Sequence, residues 1–324
     1  MPRRINWEGQ IGKRLRLRDL HAFSTVVRLG SMGKAALELG VSQPAISEVI
    51  ADLEYVVGAR LFDRTPQGVE VTVEGASLQR HVLAAFDELK QGIKDIEFLA
   101  DPTVGEVRIG CPESISAAVL QPICEAFTQR YPRVVLDVDT VNTLSFAQKL
   151  RDRNLDVVLA RGGWPLEDEQ FVSDFNIETL HDDELVIAVA HHSSWARRRK
   201  IDISELREEQ WILTSGDRLN YKVIANAFQA RGVEPPIIAM KTISVHLRAS
   251  MVATGRFVTT FPRSVLDLHA DRFGLKKLPV DIPNANWPVK IATLRNRSMS
   301  AVVKRFIACA REVAKSFTDP PSKK

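Results

Sequence analysis

The stretch Ser31-Met-Gly-Lys-Ala-Ala-Leu-Glu-Leu-Gly-Val-Ser-Gln-Pro-Ala-Ile-Ser47 constrains this chain more than any other, because it sets two helices against one sharp turn. Ser31 is a good N-cap for a first helix whose apolar Ala35, Ala36 and Leu39 share one side, and Gly40 suits its C-terminal stop. Val41 is expected to plug the turn. Ser42 caps the second helix, Pro44 sits in its first turn where no backbone N–H is missed, and Ile46, Val49, Ile50, Leu53 and Val57 repeat at helical spacing up to Gly58. One face of that helix is therefore buried. The other opens with Gln43, Ser47 and Glu48. A preceding helix, with Leu17, Leu20, Phe23 and Val27 on one stripe and its end at Gly30, supports the pair.

Beyond Gly58, Leu61-Phe62-Asp63-Arg64-Thr65-Pro66-Gln67-Gly68-Val69-Glu70-Val71-Thr72 reads as a turn-rich hairpin with a basic residue at its shoulder, a wing. Ala35-Ala36, Leu39, Ser42-Gln43-Pro44, Ser47, Leu53-Glu54, Gly58, Leu61-Phe62, Arg64, Thr72 and Gly75 together resemble the DNA-binding domain of LysR-type transcriptional regulators, strongly over residues 18–80. The resemblance implies double-stranded DNA as partner, with Ser42, Gln43, Pro44 and Ser47 at the major groove, where a glutamine matches adenine's N6 and N7. Lys34, Arg64 and Thr65 would hold phosphate or a narrow minor groove. One departure stands out: many family members carry basic or amide side chains just after this serine, whereas Glu48, Val49 and Ala51 follow here. Affinity is then expected to lean on the wing and on the basic arm 1–17, since Arg3, Arg4, Lys13, Arg14, Arg16 and the adjoining Arg18 have only Glu8 against them.

Thr72 can cap a long helix to about Ala100, ahead of Pro102. Its Val82, Phe86, Leu89, Ile93 and Ile96 follow steps of four and three, a coiled-coil seam, so a linker at 73–101 is expected to pair with its copy in a homodimer.

After the linker the rhythm changes. Strand, helix, strand, helix, strand follow through Glu106–Gly110, Val134–Val138 and Leu155–Ala160, and a second set runs from Leu185–Ala190 to Phe257–Thr260. Val289–Leu294 and a terminal helix then rejoin the first half. This pattern predicts an α/β region with mostly parallel sheets at 104–317, lobe I being 104–180 and 281–317, lobe II 181–280, and a tail at 318–324. It resembles the two-lobed type 2 periplasmic-binding-protein fold that LysR-type regulators use as effector domain.

In such sheets ligands bind beyond the carboxyl ends of strands, in the cleft between lobes. The rule selects Ser114 and Ile115 after the first strand, Thr140 and Asn142 after the second, Arg161 after the third, and Ser215, Arg218 and Thr260 in lobe II. Hydroxyls, helix N-termini and an arginine suit a small-molecule effector bearing a carboxylate. Its closure of the cleft would move effector domains within an oligomer and so the DNA their recognition helices hold. Tetramers are usual in the family, and an activator would also meet RNA polymerase.

Other classes find less support. A net charge of +4 and pI near 9.0 permit nucleic-acid binding and fit other proteins equally. No GxSxG elbow, phosphate-binding loop or HExxH helix is present, so no enzyme and no cofactor is expected. His181, Asp182, Asp183, His191 and His192 match no metal-ligand spacing. Cys111, Cys124 and Cys309 show no CxxC pair and read as packing residues of a reducing cytoplasm. No apolar run has membrane-span length and no h-region follows the N-terminal arginines, so neither membrane nor export is expected. The rivals are a solute-binding α/β protein with an N-terminal interaction module, and an effector-independent DNA-binding protein.

Overall fold

A computed structural model describes residues 15–66, 68–140, 143–162, 169–214 and 218–318. It divides into two compact units, Met1–Gln91 and Gly92–Lys324.

The first unit holds helices α1 (Leu17–Leu29), α2 (Met32–Leu39) and α3 (Gln43–Val57), the hairpin β1 (Phe62–Thr65) and β2 (Gly68–Val71), and the start of α4 (Val73–Ala100). Local chemistry sets the helix ends. Ser31 Oγ accepts from the Lys34 N–H and Ser42 Oγ from the Ala45 N–H, both at 3.3 Å, while Gly30, Gly40 and Gly58 close the three helices in the left-handed region. Thr72 Oγ1 accepts from the Gly75 N–H at 3.0 Å and so opens α4. Phe23, Val26, Ala35, Ile46, Ile50, Leu53 and Leu61 form the core. Val41 does not plug the turn: it is 47 % exposed, and the turn closes by its N–H bonding to Ala36 O at 3.0 Å.

The second unit contains two five-stranded sheets. In lobe I, β3 (Val104–Cys111), β4 (Arg133–Thr140), β5 (Val157–Arg161), β6 (Phe175–His181) and β12 (Val289–Leu294) take the order β4-β3-β5-β12-β6. The sheet is less parallel than the sequence pattern suggests. β3 runs parallel to β4 and β5, but the returning β12 enters antiparallel between β5 and β6, the latter a strand that the alternation had not marked. Helices cover both faces. A short α5 (Glu113–Ile115) runs through a π-turn at Ser116–Leu120 into α6 (Gln121–Arg130), and Pro122, with no N–H to give Ala118, follows the widened turn. With α12 (Ala301–Thr318), α6 buries Ile123, Phe127, Val302 and Phe306 on one face; α7 (Thr143–Arg151) and α8 (Glu169–Asp174) cover the other.

Lobe II has β7 (Leu185–Ala190), β8 (Gln210–Leu213), β9 (Ile238–Lys241), β10 (Phe257–Pro262) and β11 (Leu275–Lys277) in the order β11-β7-β10-β8-β9. Helices α9 (Arg218–Gln229), α10 (Val245–Ala253) and α11 (Arg263–Phe273) pack on it, with Trp211, Phe228 and Phe261 fully buried. No helix of the described residues is long and apolar enough to cross a membrane.

Candidate functional site

Burying Ile46, Ile50 and Leu53 of α3 leaves Gln43, Pro44, Glu48, Ala51 and Asp52 exposed and Ser47 half-buried on the opposite face. Helical periodicity alone produces this division. The Gln43 amide lies against α2, its Oε1 3.5 Å from where a Cβ on Gly33 would sit. Lys34 is exposed, and Arg28 on α1 is paired with Glu38. The recognition face thus carries Glu48 and Asp52 rather than cations.

The wing is held by contacts that no local pattern announces. Glu54 Oε1 accepts from the N–H groups of Leu61 and Phe62 at 2.7 and 3.3 Å, fastening α3 to the strand that follows. At the other end of the hairpin, the Val69 N–H donates to Gly30 O at 3.1 Å. Gly68, at φ +141°, leaves no room there, since a Cβ would sit 2.4 Å from Gly30 O. Arg64 stands opposite Val69 in the ladder and Thr65 opposite Gly68 at the turn; the Arg64 side chain lies outside the described residues, as does the basic arm 1–14.

The seam expected along α4 divides. Val82 is buried in the core of its own unit, and Phe86 lies half-buried against that core, its ring edge-on to His21 at 6.1 Å. Leu89, Ile93, Ile96 and Leu99 are exposed, by 50, 58, 68 and 80 %. Spacing selects a helix face but not what covers it.

At the junction of the lobes, Arg161 ends β5 and turns into a buried network. Its Nη2 and Nε lie 2.7 and 3.1 Å from Asp183 Oδ2, Nη2 reaches Ser264 Oγ at 2.8 Å, and Nη1 reaches Ser114 Oγ at 3.3 Å. Asp183 also accepts from the Ser264 hydroxyl and from the N–H groups of Ser264 and Glu184. Burial pulls the Arg161 pKa down, and the Asp183 charge opposes it. The arginine selected for an effector carboxylate already holds one of the chain's own.

Two further cleft assignments are corrected. Ile115 is wholly buried in the lobe I core, and Thr260 is buried with its hydroxyl donating to Asn220 Oδ1 at 3.0 Å. Neither presents a group to the cleft. Ser114 is half-buried beside Arg161, and Thr140 ends β4 exposed. Asn142, Ser215 and the Arg218 side chain lie outside the described residues, although Arg218 itself opens α9. Ser264, Asn220 and Arg248 escaped the sequence reading, and Asp183 entered it only in a histidine-rich group that matched no metal-ligand spacing. Arg248 is buried under the Phe261 ring, 4.4 Å from its centroid, and bonds to Thr214 Oγ1.

Polar contacts cross between the lobes around the π-turn. His269 Nε2 meets Ala117 O, and the His246 N–H points to Glu113 Oε1 at 3.5 Å. The cysteines sit in the lobe I core, where burial pushes the Cys111 thiol up to about 12 and Cys124 up to about 11. Both are thiols at neutral pH, consistent with packing rather than redox chemistry.

Comparison with known proteins agrees with this architecture. The family described as bacterial regulatory helix-turn-helix protein, lysR family, matches residues 17–76, and the LysR substrate binding domain matches residues 100–315. The HTH-type transcriptional regulator TdcA of Escherichia coli (strain K12) is 28% identical over 243 residues, 75% of this chain and 76% of that protein. BenM, an HTH-type transcriptional regulator of Acinetobacter baylyi, is 25% identical over 316 residues, 95% of this chain and 100% of its own. The crystal structure of full-length CbnR complexed with target DNA shares the fold, with a TM-score of 0.61 at 19% identity over 93% of this chain and 100% of that one. A helix-turn-helix with a free recognition face, followed by a two-lobed α/β region and matched by both family descriptions, makes this chain a DNA-binding transcriptional regulator of the LysR family.

Proposed function

We propose that this regulator responds to a small molecule held where its two lobes meet. One observation carries the reading: polar contacts cross from lobe I to lobe II at three points, Glu113 with His246, Ala117 with His269, and Arg161 with Ser264. A ligand entering beside Ser114, Thr140 and Thr214 would bridge or break those contacts, and any difference in its affinity for the two arrangements shifts their balance. Hydroxyl donors at the strand ends suit a carboxylate. Arg161 orients the site from behind, because its guanidinium is committed to Asp183.

On DNA, Ser42, Gln43, Pro44 and Ser47 read the major groove, while Lys34, Arg64 and Thr65 grip the backbone. The exposed Leu89, Ile93, Ile96 and Leu99 join two chains as a homodimer, and two dimers make a homotetramer. An activator would use that assembly to contact RNA polymerase.

Footprinting of the full chain on its own upstream intergenic DNA, at low and high salt and with a panel of small carboxylates, tests the reading. Two dyad-related half-sites whose protection or spacing changes with one carboxylate are expected. Sequence-blind protection that vanishes with salt, or half-sites indifferent to every carboxylate, would overturn it.

A further inference from the structure

Lobe I carries a second hollow, at the end of its sheet away from the crossings between lobes. Strands β6 and β12 pair there in register, Asn176 opposite Thr293, and α12 lies over the same face. Between the helix and the edge strand remains a groove of about 420 Å³, a volume in the range of small-molecule sites. Val289, at the crossing, is four residues from Thr293, so the groove is roughly 13 Å from the cleft.

Its lining is chemically specific. Thr293, 7 % exposed, is among its lining residues. Lys304 on α12 has no carboxylate within ion-pair distance among the described residues, and Arg295 donates to two carbonyls, Val172 O and Phe175 O, at 3.1 and 3.3 Å. The carboxylate in the lining, Glu178, is taken by Arg311 through contacts of 2.9 and 3.1 Å. The groove therefore has an excess of positive charge. Met299 and Ile307 supply an apolar wall.

We propose that this groove is a second ligand site, for a small organic anion: a carboxylate on a short apolar body. The carboxylate sits between Lys304, Arg295 and the Thr293 hydroxyl, and the apolar part lies on Met299 and Ile307. The site does not depend on the cleft reading. It also has its own route to the linker helix. The Ala301 N–H, at the start of α12, donates to Asp95 of α4 at 3.3 Å, and Arg305 stacks over Phe98 of α4 at 4.9 Å. A ligand gripping Lys304 and Met299 touches the two residues that flank this docking, so its occupancy bears on the linker rather than on the angle between lobes.

The test is fluorine NMR on the full chain, with 4-fluorophenylacetate as probe and the neutral 4-fluorophenylacetamide as control. The acid is expected to broaden and the amide to stay sharp. Lys304→Gln and Thr293→Val should each weaken binding about tenfold, the weight of one charge-assisted hydrogen bond, while Lys276→Gln, on the exposed strand β11 of lobe II, leaves it unchanged. Thermal melting confirms that each variant is folded, and the exposed Lys304 makes Lys304→Gln the safer of the two. No broadening by the acid, equal broadening by the amide, or acid binding indifferent to both groove variants overturns the proposal.

Discussion

Arg161 and Asp183 form a buried ion pair at the junction of the lobes, Nη2 2.7 Å and Nε 3.1 Å from Oδ2. The side chains are 5 and 1 % exposed, so neither charge has water to turn to if the other is lost. Asp183→Leu should cost about 3–5 kcal/mol, because it strands a buried guanidinium. The double variant Arg161→Met/Asp183→Leu should recover most of that loss. Urea unfolding of the full chain measures both, and a wild-type midpoint for Asp183→Leu would show that the pair holds nothing.

The wing depends on two glycine backbones meeting. A Cβ at Gly68 would press to 2.4 Å from Gly30 O in a conformation that side chains rarely adopt. Gly68→Ala should cost about 1–3 kcal/mol in strain and swing the hairpin away from α1. Operator affinity should fall, and its salt slope should flatten as wing contacts to phosphate are lost. Fluorescence anisotropy across a salt series reads both; an unchanged slope would mean that the wing does not touch phosphate.

Along α4, two substitutions separate packing from pairing. Ile93→Glu puts a charge on the exposed stripe and should leave a monomer in sedimentation, with the melting of the helix-turn-helix unit unchanged. Val82→Ala removes buried volume and should cost about 2 kcal/mol without altering association. The opposite pattern would return the seam to Val82 and Phe86.

Asp156 ties β3 to the loop before β5. Burial alone would raise its pKa, but hydrogen bonds and charge from Arg108, with Arg297 adding its own, hold the carboxyl below its ordinary 3.8. The folded state therefore binds the proton less readily than the unfolded chain. Its contribution to stability is complete above about pH 4 and is lost as pH falls through the depressed value. Asp156→Asn should destabilise lobe I at neutral pH and weaken the dependence of melting temperature on pH below 3.8. An acid melting profile identical to wild type would exclude the pair as a cause of acid lability.

The helix-turn-helix was legible because its determinants are local. Ser31, Ser42, Gly40 and Gly58 act on groups within about four residues, and the burial of Ile46, Ile50 and Leu53 follows from helical period. The two-lobed region was legible as an order of strands and helices. The pairing of β6 with β12 was not, since the partners are more than a hundred residues apart and the edge strand Phe175–His181 alternates weakly.

The cleft was legible least. Arg161 was rightly put at the end of a strand facing the lobe junction, but its partners Asp183 and Ser264 arrive from 22 and 103 residues away. Thr260 reads as a free hydroxyl until Asn220 on α9 is laid against it. Val82 and Phe86 carry the same spacing as Leu89 and Ile93, although Val82 is buried in its own unit, Phe86 is half-buried against it and the others are exposed. By itself the sequence determined where helices begin and end, which faces are apolar and which loops follow which strands, all consequences of capping and period over a few residues. Only the tertiary structure decided which polar groups satisfy one another and which remain to meet a ligand, because hydrogen bonding and desolvation depend on distances between segments that no local pattern encodes.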